Sequence, residues 1–247
     1  MEQQSKKEKT RIVSYWTKRS EDFFLLKKEE LHSELADRWM TEISKYIPKD
    51  KPLNVLDVGC GAGLFSVMLA QHGHKVTGID LTPDMIACAR RMAAEEGVSC
   101  HFEIMDAEQL IFKDETFDLV ISRNLTWTLP NAAIAYQEWL RVLKKEGVLL
   151  NFDADYGKSD CRETKGLPAK HAHHTIGKEM NEECEKIKEM LYISHFRRPA
   201  WDMDVLLSLG VEHFTVDAGI SERIYTKIDE FYNPDPMFLL CGKKSCE

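Results

Sequence analysis

The stretch Val55-Leu56-Asp57-Val58-Gly59-Cys60-Gly61-Ala62-Gly63 decides the fold. It is an apolar, β-branched run that ends in an acid and a glycine turn, and the apolar residues of 64–72 follow at once as a helix closed by Gly73. Working outward, the same alternation repeats. Strands are predicted over 54–58, 75–79, 100–105, 117–122 and 148–152, with helices between them from Met85 to Gly97 and over 131–145, the latter closed by Gly147. Thr82 as N-cap, Pro83 at the first helical position and Gly97 as terminator agree on the second of these helices. Strands alternating with helices bury both faces of a mostly parallel sheet, so the fold class is α/β, doubly wound and Rossmann-like.

The flanks read differently. Residues 1–19 open as a polar, Lys-rich tail and then present Ile12, Val13, Tyr15 and Trp16, a patch too short to fold alone. Leu31, Leu35, Trp39 and Ile43 recur every fourth position, which predicts one amphipathic helix over 20–47 with a break near Lys27 and a stop at Pro48. Between 156 and 199 the strand–helix rhythm is interrupted by glycine, proline, three histidines and a charged helix. It resumes with a helix over 203–209 and strands over 211–216 and 238–241. The chain reads as a single domain: a helical cap (1–50), a core (52–155), a lid inserted after the fifth strand (156–200) and the end of the sheet (201–247).

Lys and Arg number 33 against 41 Asp and Glu, a net charge of -8, which disfavours a nucleic-acid partner. No run approaches the ~18 uninterrupted apolar residues of a membrane span, and the charged first residues lack the apolar run of a secretory signal, so no membrane partner and a cytoplasmic location are expected. The seven cysteines, Cys60, Cys88, Cys100, Cys161, Cys184, Cys241 and Cys246, are scattered and odd in number, and most read as reduced thiols.

Chemistry concentrates at the predicted strand ends, where ligands of such sheets sit. Glycines at 59, 61 and 63 let backbone N–H groups approach a carboxylate, while Asp57 offers an anion to an ammonium group. A dinucleotide turn would place its third glycine at Leu64 and set Asp57 beside a pyrophosphate, so the pattern fits an amino-acid-bearing nucleoside, S-adenosylmethionine (SAM), better. Asp80 after the second strand can accept both ribose hydroxyls, and Asp106 with Ala107 after the third can meet the adenine amine.

With that set in place the chain resembles the class I SAM-dependent methyltransferases, in particular the small-molecule enzymes of ubiquinone and menaquinone biosynthesis, over 52–155. The resemblance implies that Gly59, Cys60, Gly61 and Gly63 hold the methionine part, Asp80 with Leu81 the ribose and Asp106 with Ala107 the adenine. It places Ser122 to Leu125, including Arg123, beside the methyl donor, with S-adenosylhomocysteine (SAH) as the product. It also implies that Tyr15 and Trp16 cover the acceptor pocket.

The remaining acceptor-pocket candidates are Arg123, Asn124 and Trp127 after the fourth strand and Asp153, Asp155 and Tyr156 after the fifth. Asp153 and Asp155 have the strongest claim as base or substrate ligand. Arg123 either clamps an anionic substrate or pairs with a nearby acid. Of His171, His173 and His174, His174 is carried as a general-base candidate, and no metal is assigned because paired cysteines or an acid at ligand spacing are lacking. The run 231–238 reads as turn punctuation without a catalytic part.

The expected activity is in-line methyl transfer to a small molecule by a monomer or homodimer. The alternatives are an RNA or protein methyltransferase, or a SAM-binding protein without turnover. Base-modifying amine methylases of this class carry an Asn/Asp-Pro-Pro-Tyr/Phe motif where this chain has Ser122-Arg123-Asn124-Leu125, which counts against a flipped base. Methylation of a soft, arsenite-type substrate is a further alternative, suggested by the cysteine count.

Overall fold

The computed structural model describes residues 2–244, so Met1 and Cys246 lie outside the described residues. The apolar alternation builds strands β1 (Asn54–Val58), β2 (Lys75–Asp80), β3 (His101–Ile104), β4 (Phe117–Arg123), β5 (Leu143–Ala154), β6 (Phe214–Asp217) and β7 (Met237–Lys243). They form one sheet in the order β3-β2-β1-β4-β5-β7-β6. The first five strands run parallel, while β7 is antiparallel to both β5 and β6. The order reverses between β1 and β4, and that switch point leaves a crevice at the carboxyl ends of the strands.

Helices α1 (Glu2–Leu31), α2 (Glu34–Ile43), α3 (Leu64–Gln71), α4 (Pro83–Glu95) and α5 (Ala132–Val142) precede α6 (Ala172–Thr175) and α7 (Lys178–Met190) of the 156–200 segment, then α8 (Ala200–Ser208) and α9 (Ile220–Ile224). The period of two along the strands divides the core. In β5, Val148, Leu150, Phe152 and Ala154 join the cluster around Trp39, Ile43 and Phe65, whereas Leu149 joins the opposite cluster around Tyr136 and Trp139.

The N-terminal expectation is corrected. Residues 2–31 are one continuous helix, not a tail followed by a helix, and the break falls at Ser33, whose side chain accepts from Leu35 N–H, not near Lys27. Helix α1 lies against α4, where Thr17 donates to Asp84 at 2.9 Å and the Arg91 guanidinium sits 3.5 Å from the Phe24 ring centre. It also meets α7 through Arg11 and Glu183. Two smaller boundaries move. Helix α5 ends at Val142, because Leu143 turns extended to pair with Phe117. Strand β6 begins at Phe214, because Val211 is tied back to Leu206 O and buried under α8.

Asp153, expected in the pocket, is instead a structural group. Its side chain leaves β5 on the Tyr136 side, where it accepts from Thr126 Oγ1, from Trp127 N–H at 3.2 Å and from Arg198 Nη1 at 3.1 Å. Arg198 also forks onto Asp202, with bonds of 2.9 and 2.7 Å, and Asp202 takes the Tyr136 hydroxyl at 2.7 Å. Asn151 donates to that same hydroxyl at 2.7 Å. One buried guanidinium thus bridges carboxylates from β5 and α8, anchoring the end of the 156–200 segment to the sheet. Breaking a buried pair from one side leaves an uncompensated charge, so Arg198→Met is expected to cost about 3–5 kcal/mol in chemical denaturation. A loss under about 1 kcal/mol would contradict this account.

Candidate functional site

A cavity of about 290 Å³ opens at the carboxyl ends of β1, β2, β3 and β4. Its floor is the turn after β1. Gly59 takes φ +66, a conformation that favours glycine, and a Cβ there would sit 2.6 Å from the Leu125 side chain, which would have to shift. Asp80 closes the next side: its Oδ2 accepts from Gly61 N–H at 3.1 Å and its Oδ1 from Thr82 N–H at 2.8 Å. The second and first strand ends are therefore tied together by one carboxylate, with lone pairs left over for hydroxyl donors. Burial pushes both Asp57 and Asp80 above the usual carboxylate range, Asp57 to about 7. Asp57 Oδ2 accepts from Ser66 at 2.6 Å.

The wall facing these strand ends is helix α1. Lys9, Ile12, Trp16, Arg19 and Phe23 line the cavity at helical spacing, with Tyr15 and Lys27 beside them. Lys9 reaches Asp106 at 2.7 Å and Glu108 at 2.5 Å. Lys27 is buried against Glu30 at 2.6 Å, and burial with Arg123 nearby lowers it to about 8. Apart from Tyr15 and Trp16, this wall escaped the sequence reading. The signal that would have found it is the continuation of the helical period upstream of Ser20, broken there by charges.

The structure brings most of the expected residues together. Asp57, Gly59, Cys60, Gly61, Asp80, Leu81, Asp106, Ala107, Arg123, Tyr15, Trp16, Asn124, Trp127 and Tyr156 all line the cavity. Gly63 does not: at φ +89 its missing Cβ would press on Ala89 at 3.0 Å, so it serves the α3–α4 contact. Asp153 and Asp155 are absent from the lining, and Asp155 accepts from Arg198 N–H at 3.3 Å. His174 is exposed, because the short helix α6 turns His171 and His173 inward and His174 out. Burial holds His173 down at about 4, so its ring is neutral near pH 7, and its Nδ1 is buried without a hydrogen-bond partner.

Arg123 pairs with an acid far away in sequence. Its Nη1 meets Glu30 at 2.8 Å, its Nη2 donates to Tyr225 at 3.2 Å and its guanidinium lies 4.4 Å from the Trp39 ring centre. Trp127 donates its indole N–H to Asn124 O at 2.9 Å and packs, tilted by 51°, with its ring centre 5.1 Å from that of Tyr156, whose hydroxyl accepts from Asn233. Phe231, Tyr232, Asn233, Pro234 and Asp235 form part of the wall, so the segment read as mere punctuation shapes the cavity. Cys161 and Cys184, distant in sequence, bring their sulfurs to 2.8 Å on the lid side. Among the described residues no group of three or more His, Cys, Asp or Glu side chains is arranged to hold a metal.

Known methyltransferases are similar to this chain. Residues 56–151 match the family model described as a methyltransferase domain. The chain is 37% identical over 108 residues to the ubiquinone biosynthesis O-methyltransferase of Xylella fastidiosa (strain 9a5c), covering 42% of this chain and 44% of that protein. It is 42% identical over 108 residues to the phosphatidylethanolamine N-methyltransferase of Cereibacter sphaeroides, covering 42% of this chain and 53% of that one. The chain thus spans about half, or less, of the length of these relatives. Among solved structures, phosphoethanolamine N-methyltransferase 2 of Haemonchus contortus shares the fold with a TM-score of 0.59 at 17% identity, over 83% of this chain and 52% of that one.

The raised Asp57 has a consequence for stability. Between an unfolded value near 3.8 and a folded value of about 7, the unfolded chain releases a proton that the folded chain keeps. Stability of the ligand-free protein is therefore expected to fall by on the order of a few kcal/mol as pH rises through that window. Asp57→Asn should remove that portion of the fall in urea titrations at pH 5 and 7.5, and an identical pH profile in wild type and variant would contradict the assignment.

Proposed function

We propose that this chain, whose residues 56–151 match the methyltransferase-domain model, is a class I methyltransferase that binds SAM at the strand ends and catalyses methyl transfer to a small molecule held beneath α1 and the lid. The observation that carries this reading is the convergence of the Gly59–Gly61 turn, Asp80 and Asp106 on one cavity. The residues suit the cofactor's three parts. Glycine N–H groups and Asp57 match an amino-acid zwitterion, Asp80 matches a ribose diol, and Asp106 with Ala107 suits an adenine edge. In this reading the whole chain acts as one unit, with 156–200 as the lid over the core.

When bound, SAM supplies a methyl group already activated by its sulfonium. What falls to this chain is alignment, exclusion of water and, for an oxygen or nitrogen acceptor, removal of a proton. Trp16, Phe23, Trp127, Tyr156 and Phe231 provide apolar and aromatic walls for a planar acceptor. Asp153 is committed to Arg198 and His174 faces outward. We therefore assign the proton-accepting role to His173, which lines the cavity, is neutral at physiological pH and has an Nδ1 without a hydrogen-bond partner. The same matching of aromatic walls and strand-end acids favours a small acceptor over a nucleic acid, as does the net charge of -8.

Two measurements test the proposal. Isothermal titration with SAH should show saturable one-to-one binding, and Asp80→Ala should weaken it by about 1.5–3 kcal/mol for each ribose hydrogen bond it removes. Unchanged affinity in that variant would contradict the placement of the ribose. Incubation with SAM and a panel of hydroquinones, phenols and amines should release SAH above background. His173→Ala should slow turnover of hydroxyl acceptors roughly 10²-fold or more without altering SAH affinity. Tight SAH binding with no turnover across the panel would reduce the assignment to a binding protein.

A further inference from the structure

Two thiols of the cavity wall have no part in the chemistry described so far. Cys161 follows β5 in the 156–200 segment and Cys184 stands on α7, yet their sulfurs meet at 2.8 Å and both residues line the cavity. The remaining described cysteines are occupied locally. Cys60, Cys88 and Cys100 each point the thiol at a backbone carbonyl, and burial raises the pKa of all three and of Cys241. Cys161 and Cys184 have each other, and bond formation between them needs less than about 1 Å of further approach.

The pair sits on a seam. Cys161 N–H donates to Glu185 at 2.6 Å, Lys188 donates to Ser159 O at 2.7 Å, and Lys188 pairs with Glu185 at 2.7 Å. These contacts join the stretch 159–161 to one face of α7, and each can be exchanged for water when the wall opens. A covalent bond at the same place cannot. The two thiols also differ in character. The hydrogen bond from Cys161 holds Cys184 below the usual thiol range against the effect of burial, with the Lys188 ammonium assisting, and that same bond together with burial pushes Cys161 up. Cys184 is therefore the nucleophile of the pair and Cys161 the thiol that follows it.

We propose that Cys161 and Cys184 are a reversible disulfide site, oxidised by a low-molecular-weight disulfide that enters through the cavity, and that the bond fastens the seam between 159–161 and α7. The proposal goes beyond methyl transfer and does not rest on it. In the first step the Cys184 thiolate attacks one sulfur of the small disulfide, forming a mixed disulfide and expelling one small thiolate, which takes up a proton. In the second, Cys161 loses its proton and attacks the Cys184 sulfur, and the second small thiol leaves with that proton. The protein gives up two electrons and two protons, and the small disulfide is reduced to two thiols. The reverse exchange with the small thiol reopens the seam.

The test uses glutathione as the probe. Wild-type protein is equilibrated in buffers of stepped reduced-to-oxidised glutathione ratio, quenched in acid, alkylated and digested with trypsin. At oxidising ratios the peptides 159–162 and 179–186 should emerge joined and lighter by two hydrogens than their sum, and dithiothreitol should separate them. Two thiols that both alkylate, or that carry separate glutathione adducts, at the most oxidising ratio overturn the proposal without recourse to a variant. Cys161→Ser should trap glutathione on Cys184, whereas in Cys184→Ser the remaining Cys161 should react roughly tenfold or more slowly with oxidised glutathione. Equal rates in the two variants would contradict the assignment of the nucleophile. Hydrogen exchange of the α7 amides should slow roughly tenfold or more in the oxidised protein, and a disulfide that leaves exchange unchanged overturns the fastening of the seam. None of these readings requires SAM or an acceptor, so their failure leaves the function proposed above untouched.

Discussion

Glu30 is the group on which the arrangement of this molecule turns. It is fully buried near the end of α1, and there it receives Arg123 at 2.8 Å from the end of β4, Lys27 at 2.6 Å from its own helix and the indole N–H of Trp39 at 3.0 Å from α2. Burial alone would push this carboxyl up, but the two cations outweigh it and hold the group near 2. An ionised carboxylate so placed demands its two cations, because a buried charge left unmatched in an apolar wall is costly. Helix α1 is thereby pinned at its carboxyl end to the sheet, and its inner face is laid across the strand ends.

From that one attachment the shape of the site follows. The sheet contributes a floor built from backbone and acids, with the Gly59 turn, Asp80 and Asp106 near one another because parallel strands end side by side at the switch point. The helix contributes the opposite wall, aromatic and cationic. The lid's end is secured by a second buried charge cluster, Arg198 with Asp153 and Asp202, on the far side of β5. Two ion-pair clusters on opposite faces of the sheet hold the covering segments, and the cavity occupies the space between them.

The chemistry of the lining is graded accordingly. Acids lie at the strand ends, where burial raises the pKa of Asp57 and Asp80 and so favours a ligand that brings donors to them. Neutral His173, the aromatic rings and the paired sulfurs of Cys161 and Cys184 lie toward the lid. Such a division suits a reaction in which one partner is polar and tightly held while the other is planar and exchanged.

What could be read from the sequence is what local spacing dictates. The β-branched runs, the glycine turn at 59–61 and the acids after β1, β2 and β3 are consequences of a short-range rule, since a strand's last residue and the turn after it must face the crevice. That rule fails at β5: Asp153 also stands near a strand end, but the period of two turns it toward Tyr136 and Asp202, away from the crevice. Lys9, Arg19 and Lys27 broke the apolar stripe that would have revealed α1 as one helix; Lys9 is matched by Asp106 and Glu108 far along the chain, whereas Lys27 pairs with Glu30 and Arg19 bonds Tyr15 within the same helix. Sequence by itself determined the alternation of strands and helices, the mostly parallel sheet and the acids at its strand ends. Only tertiary structure decided which helix covers them, which histidine turns inward and which two cysteines meet, since each depends on long-range partners that no local periodicity encodes.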